Sequence, residues 1–312
     1  MPKFVILLLS FYYLNDLTFA QGCCTAGSST FGGFERGVTE KSLLHIGLSY
    51  IRNNLNSTYN GREKITDPLN RTASVSIFNI ELEYGISDRI SLLAIAGYSV
   101  KERETTVRSS VDNSTETVSF KGSGINDLVI LSKYEMIKPT ILSPLSLSVG
   151  GGVKLPVGSY TQKDNGTRLS IDLQPGTGAT DVLLWGNFYK GFPGLSFSFF
   201  TNFLYRYTGA NLDSYRFGDE YIISLNGEYY LADYLTLALG IRTRFANEDF
   251  WRDRFLPSTG GTYYDLLPSI VYSESDYLIK IFYQSPVYRN VKGIQLTTSS
   301  ILGAELLFKV DI

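Results

Sequence analysis

The regular alternation of apolar and polar residues, repeated in segment after segment, most constrains how this chain can fold. In segment 234–247, leucine or isoleucine occupies every second position from 235 to 241, and threonine, alanine, glycine or arginine occupies the positions between them. Side chains of a β-strand point to opposite faces in turn, so a period of two indicates a strand with one apolar and one polar face. The last segment, LGAELLFKVDI, repeats the pattern.

The sequence predicts about twelve such strands, an even number of the kind found in bacterial single-chain barrels. Most of them reach or exceed the roughly 9–11 residues that a tilted strand needs to cross a bilayer. Each is therefore long enough to span a membrane once. The predicted strands lie near residues 42–53, 73–86, 89–103, 123–137, 145–156, 180–191, 195–208, 219–231, 234–247, 262–273, 276–287 and 298–311.

The connections between the predicted strands alternate between long and short along the whole chain. The short ones are the turns GISDRI, IKPTILSPL, KGFPGL, LADYL and YSESDY. The long polar ones lie near 54–72, 104–122, 157–179, 209–218, 248–261 and 288–297. Long loops on one side and tight turns on the other are typical of an outer-membrane barrel with both termini on the periplasmic side. A soluble β-sandwich has no reason to keep this rhythm.

A membrane span in this chain has to be a strand, because beyond the N-terminus no apolar segment approaches the roughly 20 residues of a membrane helix. In hydrocarbon every backbone N–H and C=O group must be paired, so spanning strands close into a barrel. The 22 tyrosines and 19 phenylalanines cluster toward strand ends, as in the aromatic belts at membrane interfaces. We therefore predict one all-β domain over residues 42–312, a transmembrane antiparallel up-and-down β-barrel with long extracellular loops and short periplasmic turns.

The N-terminus has the features of an export signal, predicted over residues 1–20. Lys3 precedes a short apolar run, and a small-x-small cleavage site ends at Ala20. Export together with a barrel predicts the outer membrane of a Gram-negative bacterium, with outer-membrane lipids and the barrel-assembly machinery as partners. Cys23 and Cys24 are the only cysteines, and lipidation of Cys23 is the alternative to simple cleavage.

Two glycine-rich stretches, GGFERG at 32–37 and PGTGAT at 175–180, invite comparison with phosphate-binding loops. PGTGAT lacks the Lys-Ser/Thr that such a loop places after its last glycine, and no helix pattern follows it. It is better interpreted as the point where a long loop turns into the sixth strand. GGFERG lies in residues 21–41, predicted to be a periplasmic N-terminal segment or a short plug. Asp172 and Gln174 are predicted to narrow the entrance if their loop folds inward.

The polar faces of the predicted strands would line the lumen of the barrel. Both charge signs occur there in nearly equal number, so neighbouring strands can pair charges. Such a network either fills and rigidifies a narrow barrel or forms a polar constriction that selects what passes. Arg242 and Arg244, expected opposite Glu228 on the preceding strand, are the first constellation to test. The lumen candidates are Glu81, Glu83, Asp127, Lys133, Glu135, Lys154, Arg206, Glu228, Arg242, Arg244, Lys280, Glu305 and Lys309.

Composition and motifs argue against several other functions. With 28 Lys+Arg against 30 Asp+Glu, a net charge of −2, the chain gives no reason to expect a nucleic-acid partner. His45 is the only histidine, and no local motif supplies the serine nucleophile that a Ser–His hydrolase requires. We predict no catalytic residues, no metal and no cofactor. An outer-membrane hydrolase acting through His45 is the least favoured alternative.

Three segments carry a resemblance to a known family: GINDLVILSKYEMI at 124–137, GGGVKLPVGSY at 150–160, and DLQPGTGATD at 172–181. On these the chain resembles the outer-membrane barrels described as transporters of the phenol-degradation MetA-pathway type, which are distantly similar to long-chain fatty-acid transporters. The resemblance implies a passive or facilitated channel for small molecules, including apolar or aromatic ones. It supplies no substrate residues. The predicted strand number is lower than that of the fatty-acid channels, which argues against a lateral-exit mechanism.

The sequence thus predicts a channel or transporter for the uptake of small, including hydrophobic or aromatic, solutes through a polar-lined lumen. The alternative is a closed structural or binding barrel whose surface loops recognise a ligand. The solute, the open or plugged state of the lumen, the oligomeric state and the role of Cys23 and Cys24 are left open by the sequence.

Overall fold

The computed structural model describes residues 32–67, 69–108 and 114–312. The predicted signal peptide, the following residues up to 31 and both cysteines lie outside the described residues. In the described parts of the chain, no helix is long and apolar enough to cross a membrane.

Within the described residues, twelve antiparallel strands follow one another around a closed barrel. The ring closes where the last strand pairs with the first, from Leu43 opposite Asp311 to Asn60 opposite Ile294. The strands are β1 (Leu43–Asn60), β2 (Thr72–Ser87), β3 (Ile90–Arg108), β4 (Leu128–Ile137), β5 (Leu145–Leu155), β6 (Asp181–Phe192), β7 (Phe197–Tyr207), β8 (Glu220–Ala232), β9 (Leu235–Ala246), β10 (Gly261–Ser273), β11 (Tyr277–Val291) and β12 (Ile294–Asp311). The predicted fold class and the predicted number of about twelve barrel strands are confirmed.

Several predicted loops are partly strand, which corrects the sequence analysis. The predicted loop 104–122 is largely a hairpin, because β3 continues to Arg108 and pairs with a further strand, Thr115–Ile125. The predicted loop 288–297 is only the turn Lys292–Gly293 between the extended ends of β11 and β12. The hairpin over 104–122 carries polar residues on both faces. At 288–297, Val291 and Leu296 are buried among polar neighbours. Neither stretch shows a continuous alternation, so the sequence pattern indicated loops there.

The predicted strand 123–137 is divided by a break in the barrel wall. Its first part belongs to the strand Thr115–Ile125, and its second part is β4. Both pair with β3, which exchanges one partner for the other between Ile95 and Tyr98. At the break, the amide of Asn126 donates a hydrogen bond of 2.8 Å to the carbonyl oxygen of Gly97. The neighbouring residue, Asp127, is thereby placed at the lumen beside a long loop.

The long loops contain short elements of their own. A strand pair, Lys163–Asp164 with Thr167–Arg168, lies in the loop between β5 and β6. The loops on either side of β8 and β9 contribute a small sheet, in which Tyr215–Arg216 and Arg254–Phe255 both pair with Phe250–Trp251. The strand Glu63–Ile65 pairs with the end of β1. Single turns of 3₁₀-helix occur at Gly32–Phe34, Ile171–Leu173 and Pro193–Leu195.

The side chains of the barrel are arranged inside out relative to a soluble protein. Large apolar side chains on the outer face are exposed, for example Leu239 at 56%. Charged side chains on the inner face are buried, for example Lys133 at 0%. Tyrosine rings lie in tilted or edge-on contact near both ends of the barrel, as in the pairs Tyr234–Tyr272 and Tyr264–Tyr288. An apolar outer face with aromatic belts fits lipid, so the strands are built to span a membrane.

The interior also holds two apolar clusters, which corrects the expectation of a wholly polar-lined lumen. In β3, β4 and β6, apolar residues occupy inward positions between the polar ones. One cluster comprises Ile51, Leu55, Ala73, Val75, Ile77, Leu267, Phe282, Leu296 and Ile301. The other comprises Phe34, Leu93, Ile95, Leu131, Leu183, Trp185, Leu204 and Ile222.

The lipid-facing orientation predicts the effect of placing a charge on the outer face. Leu239→Arg should lower the free energy of unfolding by about 2–4 kcal/mol, the cost of arginine near the middle of the bilayer. Leu212→Arg is the matched control, because Leu212 is 92% exposed in the loop 208–219. Its effect should be close to zero. The measurement is urea unfolding from lipid vesicles, and equal effects of the two variants would contradict the orientation.

Candidate functional site inside the barrel

The segment before the first strand lies inside the barrel. The amide of Gly33 donates a hydrogen bond of 2.6 Å to Glu81 Oε2, and the carbonyl oxygen of Phe34 accepts one of 2.8 Å from Trp185 Nε1. Gly32 has a φ of +69°, and a Cβ atom there would lie 2.2 Å from Glu81 Oε1. Glycine is therefore required at position 32 for both conformation and space.

Lys133 fixes this segment, here called the inner segment (residues 32–37), to the barrel wall. Its buried ammonium group donates to the carbonyl oxygen of Gly33 at 2.6 Å and to those of Arg36 and Gly37 at 3.1 Å. It also forms an ion pair of 2.9 Å with Glu83 Oε2. An ammonium group has three N–H donors and no acceptor, and all the donors of Lys133 are used in these contacts. One buried cation therefore holds three backbone carbonyls and one carboxylate together.

The two charged side chains of the inner segment meet partners of opposite sign on the wall. Arg36 forms ion pairs with Glu81, at 3.0 Å, and with Glu305. Glu35 accepts a hydrogen bond from the Lys280 ammonium and lies 3.7 Å from Arg242 Nη2. Six predicted lumen residues thus converge on the inner segment: Glu81, Glu83, Lys133, Arg242, Lys280 and Glu305.

A second charged group forms a chain of alternating sign nearer the long loops. Lys154 Nζ lies 3.0 Å from Asp127 and 2.9 Å from Asp181. Arg206 continues the chain to Glu220 at 2.9 Å, and Glu220 also pairs with Arg244. The β-sheet register sets the order, because Asp181 lies directly opposite Lys154 and Glu220 directly opposite Arg206.

Sequence reasoning missed Asp181 and Glu220, which complete this chain of charges. Each is the first residue of its strand, β6 or β8. Extending the alternation by one inward position beyond the apolar part of each strand would have found both.

The expected constellation of Arg242 and Arg244 opposite Glu228 is wrong. The register places Glu228 opposite Ala238, four to six residues from the two arginines along β9. Glu228 instead accepts a hydrogen bond of 2.8 Å from Ser198 Oγ. Two other candidates, Glu135 and Lys309, also lie outside the two charged groups. Glu135 accepts a hydrogen bond of 3.1 Å from Ser146 Oγ. Lys309 lies opposite His45 in the strand register.

The loop between β5 and β6 folds inward over the lumen. Asp127 holds its two ends, because its carboxylate accepts hydrogen bonds from the amide of Gly158 at 3.1 Å and the amide of Thr177 at 3.0 Å. Lys101 donates to the backbone carbonyl oxygens of Asp172 at 3.2 Å and Gln174 at 2.7 Å. Both side chains expected at the entrance are buried, Asp172 at 2% and Gln174 at 1%.

Asp172 and Gln174 hold the inward fold of this loop by different means. The carboxylate of Asp172 forms an ion pair with Arg103 on the wall. The amide side chain of Gln174 accepts from the amide of Gln162 at 2.9 Å and donates to the carbonyl oxygen of Leu169 at 3.0 Å. One residue therefore fixes the loop to the barrel, and the other fixes the loop to itself.

A cavity of about 140 Å³ lies between the inward loop and the inner segment. Phe34 of the inner segment lies on one side of it, and Ile171 and Pro175 of the loop lie on the other. Its walls are apolar over much of their area because the second apolar cluster of the interior surrounds it, and Lys101, Lys154 and Arg206 stand at its edge among carboxylates. The wall is formed by Ile77, Ile95, Val129, Leu183, Leu204 and Ile222.

His45 does not lie beside a serine in the way the hydrolase alternative requires. The hydroxyl group of Thr39 is 3.1 Å from its Nδ1 atom, and Glu83 and Lys309 are its cross-strand neighbours. In the part of the chain that the structure describes, no group of three or more His, Cys, Asp or Glu residues has a geometry that could hold a metal ion.

Two further long loops are joined by a buried hydrogen bond. The hydroxyl group of Tyr215 donates to Asp249 Oδ2 at 2.5 Å, and the amide of Gly218 donates to Asp249 Oδ1 at 2.8 Å. Burial raises the pKa of Asp249 to about 6, and burial also raises the pKa of Tyr215.

The chain shares its fold with a solved structure of an outer-membrane channel. An outer-membrane channel from Pseudomonas putida F1 matches with a TM-score of 0.67 and 15% identity, over 90% of this chain and 99% of that chain. A FadL homologue from Pseudomonas aeruginosa matches more weakly, with a TM-score of 0.44 and 11% identity, over 92% of this chain and 98% of the other. At these identities the likeness concerns the fold alone. No protein-family model and no curated protein matches the chain.

The contacts of Lys133 predict that its removal is costly. Lys133→Met should lower the free energy of unfolding by about 3–5 kcal/mol, because Glu83 is left as a buried charge without its partner. Lys121→Met is the control, since its pair with Glu102 is largely exposed and should contribute about 0–1 kcal/mol. Adding Glu83→Gln to Lys133→Met should recover part of the loss. Urea unfolding in vesicles gives the free energy of unfolding of the wild type and of the three variants. A Lys133→Met effect as small as that of Lys121→Met would contradict the anchoring role.

The raised pKa of Asp249 predicts how the two joined loops respond to pH. A carboxyl group with a pKa of about 6 in the folded loops and about 3.9 in an unfolded chain favours folding when it is protonated. That contribution is complete below about pH 4 and is lost as the pH rises through about 6. Hydrogen exchange of the amides at 215–219, corrected for intrinsic rates, should show protection that falls over this window. Asp249→Asn should remove the dependence, and protection that rises with pH would contradict the prediction.

Proposed function

We propose that this chain is an outer-membrane channel of a Gram-negative bacterium that admits small apolar or aromatic solutes by passive or facilitated diffusion. The observation that carries the proposal is the apolar-walled cavity of about 140 Å³ inside a barrel whose interior is otherwise rich in charge. An apolar cavity of roughly 150 Å³ is large enough to take up benzene in another protein. A cavity of this size and lining suits a molecule of one aromatic ring.

The charges around the cavity support a neutral or weakly polar solute. Lys101, Lys154 and Arg206 line the cavity together with Asp127, Asp172 and Glu220. The two signs balance, and these groups are bonded to one another or to the loop rather than directed at an empty centre. An ion entering the cavity would therefore have to break existing pairs, whereas an apolar ring needs only the apolar wall.

Two barriers would control passage in this proposal. The inward loop, held by Asp127, Lys101 and Arg103, is the barrier on the long-loop side. The inner segment, held by Lys133, is the barrier on the short-turn side. With the long loops outside the cell, solute would enter by displacing the loop and leave past the inner segment. The predicted lumen charges then serve mainly to position these barriers. Membrane lipids and the barrel-assembly machinery are the partners that such a protein requires.

The likeness of fold to an outer-membrane channel from Pseudomonas putida F1 supports this proposal at the level of architecture. The second candidate is a closed binding barrel whose cavity and loops hold a ligand without passing it on, and it is favoured by the position of the cavity between the inward loop and the inner segment, which both contribute to its lining. The two candidates differ in one observable property, transfer of solute across the membrane.

Filling the cavity should distinguish a channel from a closed barrel. Cells that carry the chain in their outer membrane should take up radiolabelled toluene several-fold faster than cells with an empty vector. Val129→Trp, on the cavity wall, should abolish most of that gain. Val149→Trp is the matched control, because Val149 lies on the outer face at 41% exposure, where tryptophan meets lipid. Equal uptake with and without the protein would reject the channel and leave the closed barrel.

A further inference from the structure

A second cavity, of about 230 Å³, lies at the long-loop end of the barrel. It is distinct from the cavity in the lumen and is formed by three loops, the ones that follow β5, β7 and β9. Three aromatic side chains line it: Tyr160, Tyr215 and Trp251. Two arginines, Arg168 and Arg252, lie among them. We call it the outer pocket.

The charges of the outer pocket are not balanced. Arg168 forms an ion pair with Asp213. Among the residues that the structure describes, Arg252 has no carboxylate within ion-pair distance, and its guanidinium lies over the ring of Trp251 at 4.7 Å from the centroid. The lining therefore presents one cation that is not neutralised, next to an aromatic face. A guanidinium in this position can bind a carboxylate through two parallel hydrogen bonds.

The aromatic wall is held in place by hydrogen bonds between the loops. Trp251 Nε1 donates a hydrogen bond of 3.1 Å to the carbonyl oxygen of Asp213. The backbone amide of Arg252 donates one of 3.3 Å to the carbonyl oxygen of Ser214. Trp251 and Tyr215 are also paired in the small sheet. The rings are thus fixed by main-chain contacts before any ligand arrives, which lowers the entropy cost of binding.

The outer pocket and the lumen cavity share a wall. Ile171, on the single 3₁₀ turn of the inward loop, lines both cavities. The side chain of Asn211, which also lines the outer pocket, donates to the carbonyl oxygen of Thr177 at the other end of the same loop segment at 3.1 Å. A ligand in the outer pocket is therefore separated from the lumen cavity by the loop that closes the lumen.

We propose that the outer pocket binds planar aromatic acids, with benzoate as the simplest example, on the outer side of the inward loop. The ring packs against Trp251 and the two tyrosines, and the carboxylate binds Arg252. The binding site is independent of the proposed channel function, because an aromatic acid held here does not have to enter the lumen cavity.

Tryptophan fluorescence tests the site directly, because the chain has only two tryptophans, Trp185 and Trp251. The purified protein is titrated with benzoate, benzamide or acetate at about pH 8, where a carboxylic acid is fully ionised. Benzoate should give a saturable change that is absent in Trp251→Phe. Benzamide lacks the charge and acetate lacks the ring, so both should bind more weakly.

Arg252→Gln should weaken benzoate binding roughly tenfold or more, the expected effect of losing a hydrogen-bonded charge pair, and should leave benzamide binding unchanged. Lys292→Gln is the control, because Lys292 is an exposed cation at the same end of the barrel that pairs with Glu248. A fluorescence change that survives in Trp251→Phe, or equal benzoate affinity in Arg252→Gln and wild type, would overturn the site.

Discussion

The pairing of backbone hydrogen bonds around a closed ring is the constraint on which the rest of this structure depends. In hydrocarbon an unpaired N–H or C=O group costs several kcal/mol, so the sheet has no free edge and β12 returns to β1. Closure divides the side chains into two sets. Those that point outward meet lipid and are apolar, and those that point inward share a narrow space from which lipid is excluded. Within the membrane, charged residues can therefore be placed only among the side chains that point inward.

That narrow space explains why the charges occur in groups rather than singly. A buried charge is tolerated when a partner of opposite sign and further hydrogen bonds compensate for lost water. Lys133 satisfies this with one carboxylate and three carbonyl groups, and the series from Asp127 to Arg244 does so across successive strands. The inner segment and the inward loop are held by these same groups. The charged pairs and the two segments inside the barrel are therefore a single arrangement, and a change in one alters the other.

The strands could be predicted from the sequence because the lipid imposes a strict period of two on each of them. The inward positions follow no such rule, so the sequence did not predict that Leu131, Leu183 and Trp185 form an apolar cluster inside the barrel. The contact between Lys133 and Gly33 joins residues a hundred positions apart. It leaves no local pattern, and the same holds for the pairing of Glu220 with two arginines. The hairpin over 104–122 was missed because polar residues on both of its faces remove the alternation.

The apolar cluster within the lumen has a consequence for how the barrel would work. If stability alone were selected, charged and hydrogen-bonded side chains could fill the whole interior, as small barrels do. Instead an apolar wall borders an unfilled space. The loop beside this space is fixed at its ends by hydrogen bonds to Asp127 and along its length by the Arg103–Asp172 ion pair, and it contributes Ile171 and Pro175 to the lining. An apolar solute that enters gains by leaving water and competes with none of the ion pairs. In the proposed channel, such a solute has to displace only the loop, whereas an ion would also have to separate the charged pairs that line the cavity.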